Sequence, residues 1–121
     1  MLKLLVVDDE EEICDFLKGF FEERNFEVQV AHSGKDALER IEASQPDVCL
    51  LDIKMPDMDG IEALKRIKRT YPKVKVIMVT AIETNEKIEE AIKLGADNYI
   101  TKPLSLEYLE TDVHQKISDM M

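Results

Sequence analysis

DVCLLDIKMPDMDG, residues 47–60, runs through the apolar stretch Val48–Leu51, stops at a charged residue, Asp52, and continues as a loop with two further carboxylates. A short unbroken apolar run bounded by turn residues reads as a strand covered on both faces, the pattern of a central strand in a parallel sheet. Asp52 then stands at the carboxyl end of such a strand. The question becomes what else finishes there.

Four more strand-like runs lie outward from this one: KLLVVD (3–8), FEVQVA (26–31), VKVIMVT (74–80) and NYIT (98–101), all rich in β-branched and aliphatic residues. Helical patterns alternate with them. Ile13, Phe16, Leu17, Phe20 and Phe21 form the first, Ala37, Leu38 and Ile41 the second, Ile61, Leu64 and Ile67 the third, Ile88, Ala91 and Ile92 the fourth, and Leu106, Leu109, Val113 and Ile117 the fifth. Each repeats at three- and four-residue steps and leaves a charged opposite face. Ser33 and Ser105 are candidate N-caps, and Gly95 stands where a helix ends in the left-handed conformation. Strict alternation of this kind predicts an α/β fold: a (βα)5 doubly wound, five-stranded parallel sheet, with right-handed crossovers and helices on both faces. LLVV, VCLL and VIMV are continuously apolar and belong in the middle, whereas Phe26, Val28 and Val30 alternate with Glu27, Gln29 and Ala31. Strand 2 is therefore predicted at one edge and the short, polar strand 5 at the other, giving the order 2-1-3-4-5.

The chain's 121 residues suit one domain. Hydrophobic residues at 45% and only four Gly and four Pro describe a folded protein rather than a linker. A net charge of −10 argues against binding nucleic acid or an anionic membrane, both of which need a basic face, and favours cations and basic partners. Cys14 and Cys49 form no CxxC and have no neighbouring His, so they read as buried thiols, which suits a reducing cytoplasm. The apolar run in MLKLLVVDDE is too short for a signal peptide or a membrane span.

In an open parallel sheet, ligands bind beyond the carboxyl ends of the strands where the strand order reverses, here between strands 1 and 3. Strand 1 ends in Asp8-Asp9, strand 3 in Asp52, strand 4 in Thr80 and strand 5 in Thr101-Lys102. Three carboxylates, a hydroxyl and an ammonium thus converge. Packed carboxylates repel unless a cation neutralises them, and an all-oxygen set suits a hard divalent ion such as Mg²⁺. Taken singly, each Asp would read as an ordinary turn or capping residue, as Asp57 and Asp59 do. Their joint placement with Thr80 and Lys102 points to a site for a metal and a phosphate. Glu10, Glu11 and Glu12 open a helix, where negative charge complements the dipole. His32 and His114 lack partners in the sequence and read as surface residues.

Competing motifs fail. An EF-hand register with Gly60 at the sixth position puts Met55 at the first ligand position and Arg66 at the twelfth. A DxD phosphohydrolase needs an acid where Lys54 stands, and no glycine-rich nucleotide loop is present.

Four separated motifs, VVDDE, the acid followed by MPDMDG, the VT ending strand 4, and LGADNYITKPL, together resemble the receiver domain of bacterial two-component response regulators. The resemblance covers essentially residues 1–121. It implies the flavodoxin-like fold of the chemotaxis regulators, with Asp52 as phosphoacceptor. It also implies that Asp8 and Asp9 hold Mg²⁺ together with the Asp52 carboxylate and the Lys54 backbone carbonyl, and that Thr80 and Lys102 contact the phosphoryl oxygens. Tyr99 falls at the switch aromatic, coupled to Thr80, and a cis peptide is implied before Pro103. The implied activity is that of a phosphorelay switch, with self-phosphorylation and autodephosphorylation but no turnover of a separate substrate. Its partners would be a sensor histidine kinase or phosphotransfer protein and a downstream effector or attached output domain, together with a phosphorylation-dependent homodimer. The surface read by them is that of helix 4, strand 5 and helix 5. The alternative is an interaction module of the same fold that phosphate does not regulate; a stand-alone hydrolase comes third. The chain ends at KISDMM, where helix 5 should stop, which fits either a single-domain regulator or a receiver cut from a longer protein. In fast-cycling relatives, polar residues two places after the phosphoacceptor or two places after the Thr orient the hydrolytic water. Here those places hold Lys54 and Ile82, with Glu83 next, so slow dephosphorylation and a sustained response are expected.

Overall fold

A computed structural model describes residues 1–81 and 85–121. The strands are β1 (Leu2–Val7), β2 (Phe26–Ala31), β3 (Val48–Asp52), β4 (Lys75–Thr80) and β5 (Asn98–Thr101). All pair in parallel, in the order β2-β1-β3-β4-β5. The helices are α1 (Glu11–Glu22), α2 (Gly34–Ala43), α3 (Gly60–Thr70), α4 (Asn85–Lys93) and a last helix, α5, in three stretches. It is α-helical over Leu106–Tyr108, π-helical over Leu109–Val113, and α-helical again over His114–Met120.

Successive strand residues point to opposite faces, and the central strands show it. Leu4, Val6, Val48, Leu50, Ile77 and Val79 pack with Cys14, Leu17, Phe21, Leu109, Val113 and Ile117 of α1 and α5. Leu5, Val7, Cys49, Leu51, Val76 and Met78 pack with Ala37, Ile41, Leu64, Ile67 and Ala91 of α2, α3 and α4. The unbroken apolar runs thus fill two cores at once. Both thiols are buried, and burial pushes Cys14 up to about 11 and Cys49 up to about 12, with the Asp8 charge adding to the effect at Cys14. They are packing groups.

Local signals fix the helix ends. The Ser33 hydroxyl accepts the Asp36 amide at the start of α2, and the Ser105 hydroxyl accepts the Tyr108 amide at the start of α5. Gly95, at φ 103°, lets the chain turn back after α4, so that the Ala96 amide donates to the Ala91 carbonyl at 3.0 Å. Gly19, by contrast, sits on the exposed side of α1, with nothing within 4 Å of where a Cβ would stand. Gly19→Ala is expected to stabilise the domain by about 0.5–1 kcal/mol, read as a higher midpoint in thermal or urea unfolding.

Candidate functional site

The sheet's carboxyl edge opens into a cleft of about 340 Å³ lined by Asp9, Glu10, Asp52, Ile53, Lys54, Thr80, Ala81, Lys87 and Lys102. Most of them come from the ends of four strands. β1 runs into Asp8 and Asp9, β3 ends on Asp52, β4 ends on Thr80, and Lys102 follows β5. Among the described residues, Asp8, Asp52 and Thr80 are the buried polar side chains, at 2%, 5% and 5% exposure. Such groups need partners, and they have them. Lys102 Nζ lies 3.1 Å from an Asp8 oxygen and 3.3 Å from an Asp52 oxygen. The other Asp8 oxygen accepts the Glu10 amide at 2.9 Å. The Thr80 hydroxyl donates to the Ala81 carbonyl at 2.8 Å, so it is held beside its own strand end.

Electrostatics set the Asp52 carboxyl above the ordinary carboxylate range. Burial contributes most and the Asp8 charge adds to it, while the Lys102 ammonium and a hydrogen bond from the Lys54 amide pull the other way. Burial alone would lower Lys102, but the Asp52 and Asp8 carboxylates outweigh it and raise the ammonium's pKa. One cation thus bridges two buried acids. Carboxylate oxygens of Asp8, Asp9 and Asp52 lie within 4.8 Å of one another, with Asp9 exposed. That donor set is hard, anionic and open on one side, and it fits a divalent ion such as Mg²⁺ that keeps part of its water shell.

The remaining predicted residues lie around this centre. Tyr99, 39% exposed, points away from the cleft, with Lys116 Nζ 5.8 Å from its ring centroid and 3.2 Å from its carbonyl oxygen. The Lys102–Pro103 peptide is cis. Asp59 caps α3, accepting the Ile61 amide at 2.9 Å. Asp57 reaches further than a turn residue, accepting the Gly34 and Lys35 amides of α2 at 3.0 and 2.9 Å, and these bonds hold its carboxyl below the usual range. Ile82 and Glu83, two of the residues expected to bear on dephosphorylation, lie outside the described residues.

Two expectations need correction. His32 is exposed, yet its Nδ1 stands 3.3 Å from the Asp8 carbonyl oxygen and 3.8 Å from Cys14 Sγ. His114 is half-buried, its ring centroid 6.1 Å from that of Phe26. Neither lacks partners, because the fold supplies contacts from distant elements. Lys87, in the first turn of α4, lines the cleft and was not singled out from the sequence. The signal was available, since every helix of this fold starts at the carboxyl edge of the sheet.

Residues 4–114 match the family model of the response regulator receiver domain, and the chain belongs to that family. It is 37% identical over 115 residues to the regulatory protein AtoC of Escherichia coli K12, covering 95% of this chain and 25% of AtoC. Similarity to the transcriptional regulatory protein ZraR of the same organism is 35% identity over 117 residues, 97% of this chain and 26% of ZraR. Among solved structures, a CheY-like response regulator receiver domain protein from Methanospirillum hungatei JF-1 superposes with a TM-score of 0.90 at 34% identity, covering 98% of this chain and 95% of that one. The chain thus spans about a quarter of the length of these two curated relatives and nearly all of the solved receiver. Among the described residues, no helix is long and apolar enough to cross a membrane.

Proposed function

We propose that this receiver is a working phosphoacceptor switch in a two-component phosphorelay, with the domain spanning residues 1–121 and acting in the cytoplasm. The single observation that carries the reading is the triad of Asp8, Asp52 and Lys102, two buried acids bridged by one ammonium at 3.1 and 3.3 Å. A sensor histidine kinase or phosphotransfer protein donates the phosphoryl group. An Asp52 oxygen attacks phosphorus as the bond to the donor imidazole breaks, leaving an acyl phosphate of high transfer potential. Asp8, Asp9, the Asp52 carboxylate and the Lys54 carbonyl would hold Mg²⁺, which would supply positive charge to the phosphoryl oxygens. Lys102 neutralises another oxygen. The Thr80 hydroxyl leaves the Ala81 carbonyl for the new acceptor oxygens, and Tyr99 turns inward into the space it vacates. The reader of α4, β5 and α5, whether an attached output domain, a separate effector or a second copy, then meets an altered surface. Neither nucleic acid nor membrane is a direct partner of this acidic face.

Incubation with Mg²⁺ and a small phosphodonor, followed by intact mass, tests the reading against a phosphate-independent module. Addition of one phosphoryl group is expected, and an unmodified protein counts against the switch. The metal role has its own test. Asp9→Ala removes one carboxylate of the cluster, so Mg²⁺ affinity is expected to fall roughly tenfold or more. The metal-free domain is expected to melt higher, because like charges are relieved. Unchanged Mg²⁺ affinity in that variant rules out Asp9 as a ligand.

A further inference from the structure

Lys87 lines the cleft beside Asp52, Thr80 and Lys102, and it also lines the shallower hollow formed by the loop after β3. Its ammonium lies between the two, 3.5 Å from an Asp59 oxygen. Both side chains of that pair are close to half exposed, 44% and 48%, so water screens the contact and it contributes little to the fold. Asp59 has a second duty that does not need the lysine, since its other oxygen caps α3 at the Ile61 amide.

Charge balance shows what Lys87 is available for. A phosphorylated Asp52 carries close to two negative charges, so with Asp8 and Asp9 the site holds about four. Lys102 and a divalent ion together supply about three positive charges, which leaves about one in excess. Besides Lys102, the cleft is lined by Lys54 of the loop after β3 and by Lys87, the one on a helix. A doubly charged group in a cleft bounded by buried walls attracts an ammonium more strongly than one exposed carboxylate does.

We infer that Lys87 is a second phosphoryl-binding cation, which leaves Asp59 for the phosphoryl oxygens when Asp52 is modified and so ties the first turn of α4 directly to the phosphorylated site. This rests on the phosphoacceptor reading above and adds to it a link to α4 that does not pass through Thr80 or Tyr99. The exchange breaks no covalent bond and moves no proton. Its specificity consequence is that donors and mimics with fewer negative oxygens gain less from Lys87.

Beryllofluoride titrated into the whole domain in saturating Mg²⁺, followed by amide NMR shifts around Asp52, is the test. Lys87→Gln is expected to weaken binding roughly fivefold with an unchanged melting temperature, and Lys87→Arg to restore most of the loss. Asp59→Asn still caps α3 through its amide oxygen but releases the lysine, so affinity is expected to rise about twofold. In the double variant the gain from Asp59→Asn disappears. The two single substitutions thus move affinity in opposite directions, which a loss of folding cannot imitate. Parent-like affinity in Lys87→Gln, or no gain in Asp59→Asn, overturns the inference while the parent's own binding keeps the phosphoacceptor reading standing. A folded parent that does not bind beryllofluoride overturns that reading, and the role of Lys87 with it.

Discussion

Asp52→Asn is expected to leave the domain folded and to abolish phosphate uptake, the largest functional effect available from one substitution. The amide keeps the volume and can still accept from Lys102 and from the Lys54 amide, but it has no carboxylate with which to attack phosphorus. The same change has a stability signature of known sign. Burial, then Asp8, raise the Asp52 carboxyl above its ordinary 3.8 in the folded domain. An acid raised on folding is destabilising when ionised. That cost is fully present above the folded-state value and disappears as pH falls through it toward the unfolded value. Lys102 is raised as well, so its contribution is already complete below its ordinary 10.5 and does not change across the acid range. In EDTA, the variant should therefore melt above the parent at pH 7, with the gap closing as the buffer is taken toward pH 4. Phosphate incorporation at the parent's level would show that another residue is the acceptor. A variant that melts well below the parent at neutral pH would contradict the electrostatic account.

Gly60→Val is expected to cost the most stability. A Cβ at residue 60 would run into the Asp52 carbonyl oxygen, and it would stand 2.7 Å from the Ile53 Cα, so backbone rather than a yielding side chain opposes it. Relief requires the start of α3 to move away from the end of β3, which strains the 2.7 Å hydrogen bond from the Gly60 amide to the Ile53 carbonyl. Overpacking against fixed backbone with a weakened buried hydrogen bond costs about 3 kcal/mol, or roughly a 10 °C drop in midpoint for a domain of this size. The displaced element is the one that follows Asp52, the proposed phosphoacceptor, so Mg²⁺ affinity should fall together with stability. A midpoint within a degree or two of the parent's would mean that α3 is not held where the structure has it.

These two sites differ in how far the sequence revealed them. The strand order was legible because burial on both faces leaves a residue-by-residue mark: VCLL and VIMV have no polar position, whereas FEVQVA alternates. The convergence of Asp8, Asp9, Asp52, Thr80 and Lys102 followed from that order, since strand ends in one parallel sheet share an edge. Contacts between non-adjacent elements left no such mark. Asp57 looked like a turn residue because its partners, Gly34 and Lys35, are more than twenty positions earlier. His32 looked solitary for the same reason, with Asp8 and Cys14 brought to it by β1 and α1. The π-helical stretch Leu109–Val113 was hidden for another reason. Its apolar residues, Leu109 and Val113, stand four apart, a step that an α-helix would also satisfy.

The bonds from Asp57 to α2 bear on timing. The last residues of the loop between β3 and α3 are fastened twice, by Asp57 to the first amides of α2 and by Asp59 to the Ile61 amide of α3. Their freedom is therefore surrendered once, when the chain folds, and not anew at every encounter with a phosphodonor. If the Lys54 carbonyl holds the metal as proposed, a slack loop would have to be ordered each time it was needed, at a cost in binding. On the reading proposed above, arrival of the phosphoryl group then needs no ordering of this part of the loop, and the movements of Thr80, Tyr99 and Lys87 follow it.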